Sequence, residues 1–334
     1  MTGTGNAPLA RSVWQWLERH GVRAFCVCPG GRNAPLLAEA GDLPMTFGFE
    51  ERATAFYALG MAKRLEAPVA VITTSGTAAA ELLPAAIEAF YAGVPLVLVT
   101  ADRPRRFRGT GAPQAIEQRG LFASYAPTFD VAESSELPVE VSLPAGPFHL
   151  NVAFEDPLRE TGTDYAAPVR SLAEFAARSA RPLVVVGGLR PSERATAAAL
   201  IASFGAPVWL ETASGLRGDP RLEPLALKAG AERFYRENVD GLLRIGSVPT
   251  TSLWREADGV FASRPILSLA SLPWPGTARP DSNPVALAAA EPVRSRWSDD
   301  GRAAFLAEDG RRAKIVAETL HRFPRSEPSL LHAV

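Results

Sequence analysis

Short apolar runs of strand length, separated by stretches of helical pattern, recur along this chain and limit its fold more than any other feature. In the first half the runs are Arg23–Cys28, Met45–Phe49, Val69–Thr73, Leu96–Thr100 and Phe148–Phe154. Helices are expected between them at about Ala10–Arg19, Pro35–Ala40, Glu51–Leu65, Ala78–Tyr91 and Ala115–Phe122. A run such as Val69-Ala-Val-Ile-Thr73 is apolar at successive positions rather than alternate ones, as a strand buried on both faces must be. Alternation of such strands with helices predicts a parallel sheet covered on both sides. After a break, Pro182–Gly188, a helix at Pro191–Phe204, then Pro207–Glu211, Leu242–Ser247 and Pro265–Ala270 repeat the pattern, and a basic helix follows at Gly301–Phe323. The fold class is α/β, with two doubly wound parallel-sheet domains expected at 1–160 and 179–323, joined by a linker at 161–178. A length of 334 residues suits two domains. Residues 324–334 read as the opening of a further, missing domain.

Composition removes several function classes. With 35 basic and 36 acidic residues the formal net charge is -1, so nothing electrostatic favours nucleic acid or an anionic membrane as partner. No apolar stretch approaches the roughly 20 residues of a membrane span, and the first residues lack the basic and apolar regions of a secretory signal. A cytoplasmic protein is expected. Cys26 and Cys28, two apart in one apolar run, share a strand face and read as buried thiols rather than a disulfide. The four histidines have no ligand-like spacing, so no protein-only metal site is expected.

Chemistry is expected in the loops that follow strands, where open α/β sheets place their ligands. Three stand out: Cys28-Pro-Gly-Gly-Arg-Asn33, Thr73-Thr-Ser-Gly-Thr77 and Thr100-Ala-Asp-Arg-Pro104. Glycines let backbone approach a ligand, and Arg32 and Arg103 could grip a carboxylate or phosphate with paired hydrogen bonds. None fits the G-x-G-x-x-G dinucleotide fingerprint or the phosphate loop, and Ser75 lacks a G-x-S-x-G elbow. The acidic pair Glu50-Glu51 sits where an apolar stretch turns into a helix. Glu51 would share a helix face with Ala55, Ala58, Leu59 and Ala62, a setting that desolvates a carboxylate, raises its pKa and suits it to proton transfer. Two acids at a helix start can equally serve the helix dipole alone.

Taken together, Cys28-Pro-Gly-Gly-Arg-Asn-Ala-Pro-Leu36, Phe49-Glu-Glu-Arg52, Ala58-Leu-Gly-Met-Ala-Lys63, Pro68-Val-Ala-Val-Ile-Thr-Thr-Ser-Gly-Thr-Ala78, Thr100-Ala-Asp-Arg-Pro104, Gln114-Ala-Ile116 and His149-Leu-Asn-Val-Ala-Phe-Glu-Asp-Pro-Leu158 occur in an order that resembles one family. It is that of 2-succinyl-5-enolpyruvyl-6-hydroxy-3-cyclohexene-1-carboxylate synthase, a thiamine diphosphate enzyme of menaquinone biosynthesis. The resemblance is close over about residues 10 to 158 and looser over 180 to 334. It implies a first domain binding the cofactor's aminopyrimidine ring and a central nucleotide-binding-like domain. A third domain would hold the diphosphate through Mg2+ with a Gly-Asp-Gly run, which this sequence lacks. By position, Glu51 matches the acid that protonates the pyrimidine nitrogen. Gly31, Thr74, Ser75 and Gln114 would join it at the cofactor, and Arg32, Asn33 and Arg103 would contact substrate. The implied reaction decarboxylates 2-oxoglutarate and adds the succinyl semialdehyde carbanion to isochorismate. The cofactor site would need a homo-oligomer, expected as a dimer, or a partner chain carrying the diphosphate domain.

The match has departures. The family usually carries hydroxyl residues where Gly31 and Asn33 stand, and a lysine contacting isochorismate where Ser252 stands. Losing that charged partner would weaken carboxylate binding by about 1.5–3 kcal/mol. Two other readings therefore stay open: a non-catalytic or regulatory paralogue on the same scaffold, and an acetolactate-synthase-like thiamine enzyme with another acceptor.

Overall fold

Every strand pairing in the computed structural model, which describes residues 5–138, 140–156 and 164–322, is parallel. The chain divides into two compact units, Met1–Arg159 and Glu160–Val334. The first runs α1 (Asn6–Arg19), β1 (Ala24–Val27), α2 (Ala34–Ala38), β2 (Met45–Phe47), α3 (Glu51–Leu65), β3 (Val69–Thr73), α4 (Thr77–Ala80), α5 (Leu83–Ala92), β4 (Leu96–Asp102), β5 (Thr128–Val131) and β6 (Phe148–Ala153). Its six strands lie in the order β2-β1-β3-β4-β6-β5. The all-apolar strands account for the cover on both faces. On β3, Ala70 and Ile72 pack in one cluster with Val13 and Leu17 of α1 and Leu36 of α2. Val69 and Val71 turn the other way, toward Ala55 and Leu59 of α3 and Ala86 of α5. Each fully buried Val, Leu or Ile contributes about 1.5–3 kcal/mol relative to an exposed one.

Three elements of this unit differ from expectation. The helix expected over 78–91 is two helices, because Pro84 has no N–H to give the preceding turn and instead opens α5 in its first turn. The helix expected over 115–122 is only a short 3-10 turn at Gln118–Gly120. Gln114 before it has φ +57°, which a right-handed helix cannot contain. Strand β5 was not anticipated: it is a half-buried edge strand with Asp130 in it and no apolar run to announce it.

The second unit runs α6 (Leu172–Arg178), β7 (Pro182–Val186), α7 (Pro191–Phe204), β8 (Val208–Leu210), α8 (Glu232–Asn238), β9 (Gly241–Ile245), α9 (Ser252–Arg255), β10 (Ile266–Leu269) and α10 (Asp299–Arg322), with strand order β10-β9-β7-β8. The linker expected at 161–178 is corrected in its latter part. Ser171 caps α6 by accepting from the Glu174 N–H at 3.1 Å, and Leu172 and Phe175 enter the core beside Phe204. Residues 161–163, and the stretch 324–334 read as opening a further domain, lie outside the described residues. Buried Asp309 of α10 accepts from the Tyr235 hydroxyl at 2.5 Å and from the N–H groups of Lys228 and Ala229 at 2.8 and 3.2 Å. On β9 the buried Arg244 donates to the carbonyls of Pro275 and Trp274 at 2.9 and 2.8 Å, which ties down the loop after β10. Burial lowers its pKa to about 10, so it remains a cation at neutral pH. Among the described residues no helix is long and apolar enough to cross a membrane.

Candidate functional site

In the first sheet, β2 and β3 flank β1 on opposite sides, so the chain reverses its direction of travel between β1 and β3. A crevice outside the carboxyl ends of those strands is where such sheets bind ligands. The loop after β1 is built tightly. The Asn33 carboxamide accepts from the Gly30 N–H at 2.8 Å and donates to the Cys28 carbonyl at 2.9 Å, with Asn33 fully buried. Both ends of the Asn33 amide, a side chain expected at the substrate, close its own turn. The Arg32 N–H donates to Thr74 Oγ1 at 3.3 Å, binding this loop to the one after β3. A Cβ on Gly30 would lie 2.5 Å from Thr74 Cβ, whereas one on Gly31 would meet nothing within 4 Å. Gly31 is exposed and Arg32 half-buried; Thr74 and Ser75 are buried.

Helix α3 is brought to the same edge of the sheet by the Gly48 N–H, which donates to the Val27 carbonyl at 2.9 Å. At its start the two acids separate in role. Glu50 is the N-cap, accepting from the Ala53 N–H at 2.6 Å. Glu51 occupies the first turn and is half-buried, with Ala55, Ala58, Leu59 and Ala62 buried along the helix behind it. Among the described residues its carboxylate has no hydrogen-bond or ion-pair partner. Below it the Cys28 thiol donates to Thr54 Oγ1 at 3.3 Å, and Thr54 donates to the Glu50 carbonyl at 2.8 Å. Both cysteines are buried free thiols, and burial raises each pKa.

A polar ladder that went unnoticed in the sequence supports the loops after β3 and β4. Register pairs Thr100 of β4 with Asn151 of β6, and Thr128 and Asp130 of β5 with His149 and Asn151. Asn151 Nδ2 donates to Asp102 Oδ2 at 3.0 Å and to Asp130 Oδ1 at 2.8 Å. Its Oδ1 therefore faces the other way and accepts from Thr100 Oγ1 at 2.7 Å and Gln118 Nε2 at 2.8 Å. Having given its one proton to Asn151, Thr100 must accept from His149 Nε2, 2.7 Å away. His149 is thus neutral with its proton on Nε2, and burial drives its pKa to about 3 although the Asp130 charge pulls upward. Burial also works against Asp130, but hydrogen bonds from Arg108 and Asn151 and the charges of Arg108 and Arg105 outweigh it and hold the carboxyl at about 2. At Asp102 burial wins over the same kinds of partner, and its pKa is raised. The signal in the sequence was the spacing: His149 and Asn151, like Thr100 and Asp102, recur at intervals of two in otherwise apolar strands.

Arg103, just after β4, is nearly buried, with its guanidinium 5.6 Å from the centre of the Phe107 ring. Gln114 is exposed on a loop pressed against Gly76: a Cβ on Gly76, itself at φ +82°, would lie 3.1 Å from Gln114 Cα. The loops bearing Gly31, Arg32, Thr74, Ser75 and Arg103, together with the start of α3, therefore share one edge of the sheet. In the second unit, Ser252 is exposed at the start of α9, and Glu211 Oε1 fixes the approach by accepting from Thr250 N, Thr250 Oγ1 and Thr251 N at 2.7–2.9 Å. At the corresponding crevice of that sheet, between β7 and β9, the loops after the two strands are hydrogen-bonded to each other. Gly188 N–H donates to Ser247 Oγ at 2.7 Å, and Ser247 N–H to the Gly188 carbonyl at 2.9 Å.

Residues 8–121 match the family described as thiamine pyrophosphate enzyme, N-terminal TPP binding domain. The chain is 36% identical to 2-succinyl-5-enolpyruvyl-6-hydroxy-3-cyclohexene-1-carboxylate synthase of Bdellovibrio bacteriovorus, over 98% of this chain and 67% of that protein. It is 39% identical to the enzyme of the same name from Akkermansia muciniphila, over 94% of this chain and 63% of the relative. With that of Halobacterium salinarum the identity is 33%, over 75% and 53%. The chain thus spans between about half and two thirds of the lengths of these relatives.

Proposed function

The chain belongs to the 2-succinyl-5-enolpyruvyl-6-hydroxy-3-cyclohexene-1-carboxylate synthase family, and from that premise we propose that it carries the cofactor-activating half of a thiamine diphosphate-dependent transferase of menaquinone biosynthesis. Its substrates are 2-oxoglutarate, which is decarboxylated, and isochorismate, which receives the remaining succinyl semialdehyde unit. One observation carries the reading: Glu51 presents a half-buried carboxylate with no partner among the described residues, at the edge of the sheet where the switch-point loops gather.

The residues present suit an aminopyrimidine ring. Gly31 leaves open space at the mouth of the crevice, and the Thr74–Ser75 loop and exposed Gln114 border it. When bound, thiamine diphosphate supplies the electron sink for decarboxylation of a 2-oxo acid. Glu51 holds a proton at the pyrimidine ring nitrogen, and Arg32 and Arg103 orient substrate carboxylates. Mg2+ accompanies the diphosphate. Among the described residues no group of three or more His, Cys, Asp or Glu side chains could hold a metal, and the sequence has no Gly-Asp-Gly run. Diphosphate and Mg2+ are accordingly assigned to a third domain or a partner chain. Support for a dimer or such a partner comes from the aromatic side chains left exposed beside Glu51 and on α3 and α5: Phe49, Phe56, Tyr57, Phe90 and Tyr91. The setting proposed is the cytoplasm.

The test is turnover with a diphosphate-domain partner added. The 334-residue chain alone should bind thiamine diphosphate weakly and turn over nothing; with the partner it should consume 2-oxoglutarate in preference to pyruvate when isochorismate is present. Glu51→Gln should lower that rate by about 100- to 10,000-fold. Full activity in the Gln variant would remove Glu51 from its role, and preference for pyruvate would favour the acetolactate-synthase-like reading. Gly31 and Ser252, which stand where hydroxyl and lysine contacts are expected, favour the non-catalytic paralogue; absence of turnover with every partner would establish it.

A further inference from the structure

Gln118 was not among the residues read from sequence, yet its side chain joins three of the candidate site's supports. It is fully buried and its carboxamide has one possible orientation. Oε1 accepts from the Gly76 N–H at 2.8 Å, while Nε2 donates to the Ala101 carbonyl at 3.3 Å and to Asn151 Oδ1 at 2.8 Å. Flipping the amide would set a donor against an N–H and an acceptor against two acceptors. One side chain thus holds the turn after β3, the end of β4 and the centre of the polar ladder.

We propose that Gln118 is a positioning residue for the cofactor site: by fixing the Gly76 N–H it sets the Thr74–Ser75 loop and, through the Gly76–Gln114 contact, the place of Gln114. The proposal rests on the reading of the site given above. Gly76 at φ +82° and Gln114 at φ +57° are both left-handed and in contact. For Gln114, a non-glycine residue, that conformation is strained and persists only where the surroundings enforce it. Gln118 lies four residues beyond Gln114, and its grip on Gly76 clamps the loop that bears Gln114 against the turn after β3. The ladder beneath it is directional: from Thr100, and from Gly76 through Gln118, donors lead to Asn151 and end on the carboxylates of Asp102 and Asp130. Gln118 is therefore held from below by groups that cannot reverse their hydrogen bonds, and it transmits that rigidity upward.

The test compares Gln118→Met, which keeps the volume but leaves the Gly76 N–H unsatisfied, with Thr128→Val, which disturbs only the far end of the ladder at His149. Amide hydrogen exchange at Gly76 and residues 112–116, and affinity for thiamine diphosphate with Mg2+ by NMR titration in the presence of the diphosphate-domain partner, are read on folded protein. Gln118→Met should exchange at least tenfold faster at these amides and bind at least tenfold more weakly, whereas Thr128→Val should lower Tm and change neither. Exchange and affinity within twofold of wild type in Gln118→Met would overturn the proposal. If that variant does not fold, Gln118→Glu decides: it retains an acceptor for Gly76, so Gly76 stays protected and affinity holds within threefold while Tm falls, and a loss of affinity with Gly76 still protected overturns the role. Should the wild type bind no thiamine diphosphate even with that partner present, the cofactor reading fails, and the exchange rates alone still decide whether Gln118 sets the loops.

Discussion

The adjacent acids Glu50 and Glu51 differ in what surrounds them, and only one is spent on the helix. Glu50 caps α3, so Glu50→Ala should cost about 1 kcal/mol, or about 2–4 °C in Tm by thermal unfolding. Glu51 would keep its place. That an acid at this helix start faces a small apolar stripe was legible in the residue spacing; which acid the backbone would use as a cap was not. Asn33 illustrates the opposite limit. Its residue type suggests ligand contact, but a side chain that accepts from Gly30 and donates to Cys28 is committed before any ligand arrives. The neighbouring glycines make a matched pair of predictions. Gly31→Ser should leave Tm within about 2 °C, since nothing lies within 4 Å of the new Cβ. Gly30→Ala forces its Cβ onto Thr74 and should cost about 1–3 kcal/mol in a urea titration.

Strands β3, β4, β7 and β9 announced themselves because continuous apolar runs bounded by turn residues have few other uses. Strand β5 and helix α8 did not, since an edge strand with a buried Asp and a charged helix with one buried residue, Tyr235, lack a periodic apolar signal. Polar residues inside apolar strands carried more information than their number suggests. Arg244, in the middle of β9, serves the loop over the sheet rather than the sheet itself. Arg244→Met should leave the Trp274 and Pro275 carbonyls without their charged donor and destabilise the second unit by about 1.5–3 kcal/mol. Trp274, now half-exposed, should become more accessible to a fluorescence quencher; unchanged quenching would show that the loop is held by other contacts.

For the molecule as a whole, the first acid-sensitive group is His149. Its folded pKa of about 3 lies below the ordinary value of 6.5, so the unfolded chain takes up a proton that the folded chain refuses. Stability is complete above pH 6.5 and falls below it by about 1.4 kcal/mol per pH unit. Asp130, held at about 2, adds to the loss only below its ordinary 3.8. Urea unfolding of the first unit between pH 7 and 4.5 should show this loss, offset in part at the acid end because Asp102, its pKa raised by burial, takes up a proton more readily folded than unfolded, and His149→Gln should flatten it. The parallel two-unit fold could be read from the sequence because burial on both faces of a strand writes itself into composition; the ladder that supports the site could not, because register between strands is a property of the folded sheet alone. The clasp between Ser247 and Gly188 sets an energetic threshold for anything entering the second sheet's crevice. A nucleotide entering that crevice would forfeit two hydrogen bonds, about 1 kcal/mol each, or roughly thirtyfold in affinity.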